Sequence, residues 1–120
     1  MGNRQTQEQK RAAQAWQDVH NYIQKGKSLK EYKALASSAP ADIQINGLGQ
    51  VLAFWRSKGK PEHEALYDHL SSWVIQRMGA RGDLLQWIMQ TDSVNYRKAT
   101  VEALAYIAWL KRFAQAEIES

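Results

Sequence analysis

Hydrophobic residues recur along this chain at the three- and four-residue spacing of amphipathic helices, and each run is bounded by a capping or breaking signal. Thr6 to Gln9 reads T-x-x-Q, a capping box, so a first helix is expected to start there. Its core stripe is Ala12, Trp16, Val19 and Ile23, and Gly26 ends it. A second box, Ser28 to Glu31, opens a short helix carrying Leu29, Tyr32, Leu35 and Ala36, which should stop in Ser37-Ser38-Ala39-Pro40. Pro40 suits the first turn of a third helix, with Asp42 near its positive end and Ile45, Leu48, Leu52 and Trp55 turned inward. Gly47 and Gly49 fit poorly inside that helix, because each costs about 1 kcal/mol relative to alanine there. They point either to close approach of another backbone or to a break near Asn46. The alternation Ile43-Gln44-Ile45 is too short to make a strand.

Pro61 opens a fourth helix with Glu62 and Glu64 in its first turn, an apolar face of Leu66, Tyr67, Leu70, Trp73 and Val74, and an end at Gly79. Asp83 is a good N-cap for a short fifth helix bearing Leu84, Leu85, Trp87 and Ile88. Thr91, Asp92 and Ser93 then break that helix and cap a long last one, Ser93 to Ile118. Six helical segments with short connections and no strand pattern predict an all-α, single-domain bundle of about six helices over residues 6–120, preceded by a disordered tail over residues 1–5.

The last helix is apolar on two sides. Ala103, Ile107, Leu110 and Ala114 form one stripe, widened by Tyr96, Ala99, Leu104, Tyr106 and Phe113. Lys98, Val101, Ala105, Trp109 and Arg112 line up opposite. A helix of this kind is either covered on both sides within its own domain or meets a second partner. Trp109 is therefore a core residue in the plainer reading and a subunit-interface residue in the sharper one.

The chain has 120 residues, enough for one domain to bury a core without staples, and no cysteine, which excludes disulfides, thiol catalysis and cysteine zinc sites. No apolar run is long enough to span a membrane, and the opening MGNRQTQEQK is too polar for a secretory signal, so a cytoplasmic protein without membrane contact is expected. The net charge of +4 is uneven: residues 1–60 hold ten Lys/Arg against four Asp/Glu, and residues 61–120 hold six against eight. A basic half beside a mildly acidic one fits an anionic partner such as nucleic acid, although a solvated lysine face looks the same. Arg56, Lys58 and Lys60, crowded at the end of one helix, and Lys98 and Arg112 on the last helix are the candidate cations for contacting nucleic acid.

The residues that could carry chemistry do not assemble into a constellation. His63 and His69 are six apart and point in different directions on a helix, His20 sits at the edge of the Trp16 stripe, and no ligand motif accompanies any of them. Asn46-Gly47-Leu48-Gly49-Gln50 lacks the Lys-Ser/Thr of a phosphate loop, and Ser71 and Ser72 lack a nucleophile elbow. Glu64 and Asp68 read as a solvated carboxylate pair. The expectation is a binding module that is not an enzyme and holds no metal or cofactor; a ribonuclease using His20 or His63, or a helical adaptor without RNA contact, are the alternatives.

Two stretches carry a family resemblance. Pro40-Ala-Asp-Ile-Gln-Ile-Asn-Gly-Leu-Gly-Gln-Val-Leu-Ala-Phe54 and Tyr96-Arg-Lys-Ala-Thr-Val-Glu-Ala-Leu104, running on to Trp109-Leu-Lys-Arg-Phe-Ala114, resemble the small subunit of the type III-B CRISPR effector, the Cmr complex. The resemblance implies a small all-α protein without catalytic residues, whose copies stack head to tail as a filament beside the backbone that holds the guide RNA. It implies as partners the other Cmr subunits, further copies of itself, and target RNA or the guide–target duplex. Target cleavage and signalling chemistry would belong to other subunits.

Overall fold

The computed structural model describes residues 4–119. Among them are six helices and no strand: α1 (Gln7–Lys25), α2 (Leu29–Asn46), α3 (Leu48–Lys58), α4 (Pro61–Arg77), α5 (Leu84–Gln90) and α6 (Ser93–Glu117). The all-α bundle is as expected; of the tail expected over residues 1–5, residues 1–3 lie outside the described residues. No helix among the described residues is long and apolar enough to cross a membrane.

Helix α6 lies against α1, α2 and α4. Ala99, Ala103, Tyr106, Ile107, Leu110 and Ala114 are buried along it, and the small residues let its neighbours approach closely. Its N-cap is Asp92, whose carboxylate accepts from the Asn95 N–H at 2.8 Å. The capping box of α1 forms in both directions, Thr6 Oγ1 accepting from the Gln9 N–H at 3.0 Å and Gln9 Oε1 from the Thr6 N–H at 2.7 Å. The inward stripe of α1 is Ala15, Val19 and Tyr22; of the expected stripe Val19 is buried and Ile23 packs against the core from its edge, but Trp16 lies outside it. Trp16 is 45% exposed, with its ring edge-on to Phe113 at 5.3 Å. A helix pressed against α6 needs the small side chain of Ala15 at the contact, and Trp16 fits only at its margin.

Two expected boundaries are corrected. Helix α2 does not stop before Pro40 but runs through it, so no third helix starts there. An interior proline costs about 3 kcal/mol because it removes a backbone bond and crowds the preceding turn. Burial of Tyr32, Ala36, Ala39 and Ile43 against α4 and α6 offsets that cost. The second capping box is absent: Ser28 has φ +52° and its side chain caps nothing. The break falls at Gly47, with φ +88° and ψ 151°, a conformation closed to most L side chains. Ile45, just before it, is 78% exposed instead of buried, whereas Leu48, Val51, Leu52 and Trp55 of α3 are in the core.

A polar hub joins α1, α4 and α6. Glu102 of α6 receives a two-pronged contact from Arg11 of α1, Nε to Oε2 at 2.8 Å and NH2 to Oε1 at 2.9 Å, and a bond from the Trp73 Nε1–H of α4 at 2.7 Å. Trp73 stacks on Tyr106, ring centroids 4.8 Å apart and planes 9° from parallel, and Arg77 lies over the Trp73 ring. The Tyr106 hydroxyl donates in turn to Asp18 of α1. Burial raises the pKa of Glu102, but donation by Arg11 and Trp73 and the charge of Arg11 outweigh it, and the carboxyl lies below its ordinary value. Hydrogen bonding to Glu102 raises the Arg11 pKa correspondingly.

Glu102→Ala should therefore lower unfolding free energy by about 2–4 kcal/mol in urea titration, because it leaves a partly buried guanidinium and an indole N–H without their acceptor. A carboxylate whose pKa is depressed in the folded state contributes stability above its unfolded pKa and loses it as pH falls through the folded value. Stability of the wild type should decline as pH falls below the ordinary glutamate range, and Glu102→Gln should flatten that part of the profile.

Candidate nucleic-acid and subunit interfaces

The five candidate cations occupy two separate places. Arg56 and Lys58 are on the last turn of α3, and Lys60 is the N-cap residue of α4. Lys98 and Arg112 project from the outer face of α6, exposed, and about 21 Å apart along its axis at helical rise.

Arg56 is the one whose charge is tied down. Its NH2 donates to Asp83 Oδ1 at 2.5 Å and to the Tyr67 hydroxyl at 2.9 Å, and its guanidinium lies over the Tyr67 ring at 4.8 Å. Tyr67 donates to the same carboxylate oxygen at 2.6 Å, while Asp83 Oδ2 caps α5 by accepting from the Gln86 N–H at 3.1 Å. Burial and then the bond to Asp83 push the Tyr67 phenol up to about 12. Burial raises Asp83, but the Tyr67, Gln86 and Arg56 donors together hold it below its ordinary value. This cluster fastens α3, α4 and α5 together. Lys58 instead places its ammonium 5.1 Å from the centre of the Phe54 ring, and Phe54 is 52% exposed.

Trp109 is half-buried, packed on Phe113 with ring centroids 5.5 Å apart. Phe113 also meets Trp16 of α1, and the Trp16 ring lies 4.0 Å from that of His20. The result is an aromatic ridge along the α1–α6 seam. Trp16, given to the core by its spacing, belongs to this ridge, and no local signal in the sequence distinguishes it from a core tryptophan.

The imidazoles are dispersed. His20 Nε2 is 3.4 Å from Glu117 Oε1 and His63 Nδ1 is 3.4 Å from Glu62 Oε2, neither aligned as a hydrogen bond. His69 Nδ1 is hydrogen-bonded to the Tyr32 hydroxyl at 2.8 Å, and burial keeps its pKa below the ordinary histidine value. Among the described residues no three His, Cys, Asp or Glu side chains converge as metal ligands would.

The two stretches that carry the resemblance meet in space. The Tyr96 hydroxyl of α6 accepts from the Gly49 N–H of α3 at 2.9 Å, and a Cβ on Gly49 would lie 3.1 Å from that oxygen. The glycines thus answer both a helix break, as expected, and a close approach, which comes from a phenol and not from a backbone. The sequence model of the family described as CRISPR-associated protein (Cas_Cmr5) matches residues 7–117. The chain belongs to the Cmr5 family. It is 36% identical over 116 residues to the CRISPR system Cmr subunit Cmr5 of Thermus thermophilus, covering 95% of this chain and 97% of that protein. An X-ray crystal structure of a CRISPR-associated Cmr5 family protein from the same organism superposes with a TM-score of 0.82 at 36% identity, over 97% of this chain and 100% of that one.

For this Cmr5 family chain, the Gly49–Tyr96 contact accounts physically for part of what makes the two stretches distinctive. Crowding against the Tyr96 hydroxyl should cancel the roughly 1 kcal/mol that alanine otherwise gains over glycine in a helix, so Gly49→Ala should not stabilise the fold, and Tyr96→Phe should cost about 1–3 kcal/mol by orphaning the Gly49 N–H. Because phenylalanine removes the oxygen that a Cβ would strike, Gly49→Ala should be more favourable in the Tyr96→Phe background than in the wild type, measurable as a double-mutant cycle by denaturant unfolding.

Proposed function

We propose that this chain is the small, non-catalytic subunit of a type III-B CRISPR ribonucleoprotein complex, that its copies stack as a filament, and that the stack helps to hold target RNA for antiviral defence in the cytoplasm. The observation that carries the reading is the match to the Cmr5 family over residues 7–117. The excess of Lys/Arg in residues 1–60 supports an RNA partner, and the dispersed histidines support a role without catalysis. Co-purification of the native protein tests assembly: guide RNA and other Cmr subunits should accompany it, and recovery of the protein alone under mild salt would count against the reading. The purified chain should not cleave RNA with or without divalent metal. Cleavage that survives repurification and vanishes in His20→Ala or His63→Ala would establish the ribonuclease alternative instead.

Head-to-tail stacking needs a heterologous contact, in which one surface meets a different one on the next copy and nothing closes the assembly. The ridge of Trp16, Phe113 and Trp109 is our candidate for one side. Trp109→Ala should impair incorporation into the reconstituted complex; unchanged incorporation with a fall of several degrees in melting temperature would make Trp109 a residue of the fold alone.

A single copy offers few phosphates' worth of charge, and each phosphate neutralised adds about 0.7 to the single-strand salt slope, so a substantial RNA affinity belongs to the stack. Charge reversal at Lys98 and Arg112, or at Lys58 and Lys60 with Arg56, should weaken target-RNA binding by the assembled complex for every sequence and make its salt dependence shallower. Of the second set, Lys58 and Lys60 should account for most of the effect, since Arg56 is already paired with Asp83. Unchanged affinity and slope in both assembled variants would make these positions solvated surface and take them out of the RNA track.

A further inference from the structure

The bend at Gly47 sets the C-terminal end of α2 against the first turns of α3 and leaves a groove of about 330 Å³ between them. Asp42 and Asn46, one turn apart on α2, form one wall, Gln50 and Phe54, one turn apart on α3, form the other, and Val51 and Trp55 lie beneath. The fold explains Gly47, Leu48 and Gly49 but makes no use of the polar residues around them. The side chains of Asp42, Asn46 and Gln50 have no hydrogen-bond partner among the described residues, and Asn46 and Gln50 are exposed. Phe54 is 52% exposed where most aromatics of this size are covered.

We propose that this groove takes one unpaired base of single-stranded RNA, stacked on Phe54 with its polar edge held by Asp42, Asn46 and Gln50. The inference rests on the RNA-binding reading above and gives it a second component, independent of phosphate charge. Three features fit a nucleotide better than an apolar partner. The volume is at the lower end of ligand pockets and suits a planar group. An exposed aromatic with a lysine ammonium 5.1 Å from its ring centre supplies stacking and a phosphate partner together. The walls end in one carboxylate and two amides, the groups that meet the edges of bases, and a purely apolar helix would leave all three facing it unpaired. The carboxylate also sets a preference. It can only accept, so it favours a base presenting an exocyclic amino group, such as cytosine, over uracil, which presents a carbonyl at the same ring position.

The test is fluorescence anisotropy at low salt with the full chain and end-labelled oligocytidine and oligouridine twelve-mers. The wild type should bind oligocytidine more tightly. Phe54→Ala should weaken both by about fivefold or more with the salt slope unchanged, because stacking is lost and no phosphate contact is. Asp42→Asn should abolish the cytidine preference. Phe54→Leu, which keeps an apolar side chain but not a π face, should behave like Phe54→Ala, and serves in its place if the alanine variant melts early. If Phe54→Ala and Phe54→Leu bind both oligomers as the wild type does while Lys58→Glu binds them more weakly, the groove assignment falls and the RNA reading stands. If the wild type binds neither oligomer, alone or in the reconstituted complex, both fall together. If the Phe54 variants keep RNA affinity but lose self-association, the groove is a protein-docking site and the base assignment is wrong.

Discussion

The carboxylate of Glu102 is largely withdrawn from water between three helices, and it stays charged there because Arg11 meets both of its oxygens and Trp73 donates to one of them. A buried charge is costly unless paired and hydrogen-bonded, so the position of each partner is constrained by the other two. The consequences spread along the helices. Trp73 reaches Glu102 with its ring flat against Tyr106, and Tyr106 in that pose donates its hydroxyl to Asp18. Two residues of α1, one of α4 and two of α6 are thereby held in one arrangement, around which the apolar side chains of Ala15, Val19, Leu70, Ile107 and Leu110 pack. Apolar burial supplies most of the favourable free energy, whereas the polar hub selects the register in which it is gained.

Most helix ends written in local chemistry were legible in the sequence, the unformed Ser28 box being the exception. The Thr6 box, Asp83, Asp92, Pro61 at the start of α4 and the glycine after α1 all act within a few residues of themselves, and all are found as expected. Features decided by packing were not legible. Ser37-Ser38-Ala39-Pro40 carries every local mark of a stop, yet Ala36, Ala39 and Ile43 face α4 and α6 and hold α2 together through the proline. The placing of Trp16 in the core stripe of α1 failed for a related reason. Hydrophobicity favours Trp16 for the interior, but the distance between α1 and α6 admits alanine at that depth and puts the indole on the rim. The hub itself joins residues 91 apart in the chain, a separation at which no periodicity speaks.

Of the interface residues, the exposed positions of Lys58, Lys60, Lys98 and Arg112 and the partial exposure of Trp109 follow from spacing along a helix, which the sequence carries. The engagement of Arg56 does not, because its partner Asp83 lies 27 residues on and reads locally only as a cap. Phe54 is the converse case. It falls within a stretch that resembles a family pattern, but its exposure depends on where the bend at Gly47 directs α3, and that bend answers to a tyrosine on a different helix.

Asp83 serves two structures at once, since one of its oxygens takes Arg56 and Tyr67 and the other closes the first turn of a seven-residue helix. A helix that short has little stability of its own. Any polyanion that drew Arg56 outward would take from Asp83 one of the donors that keep it in place, and α5 would loosen. Linkage makes the relation mutual: whatever firms α5 and its neighbours also holds the guanidinium back from an outside phosphate. Were such a polyanion to bind, this corner would set an internal and an external anion in competition for one cation, and the occupancy of one would report on the rigidity of the other.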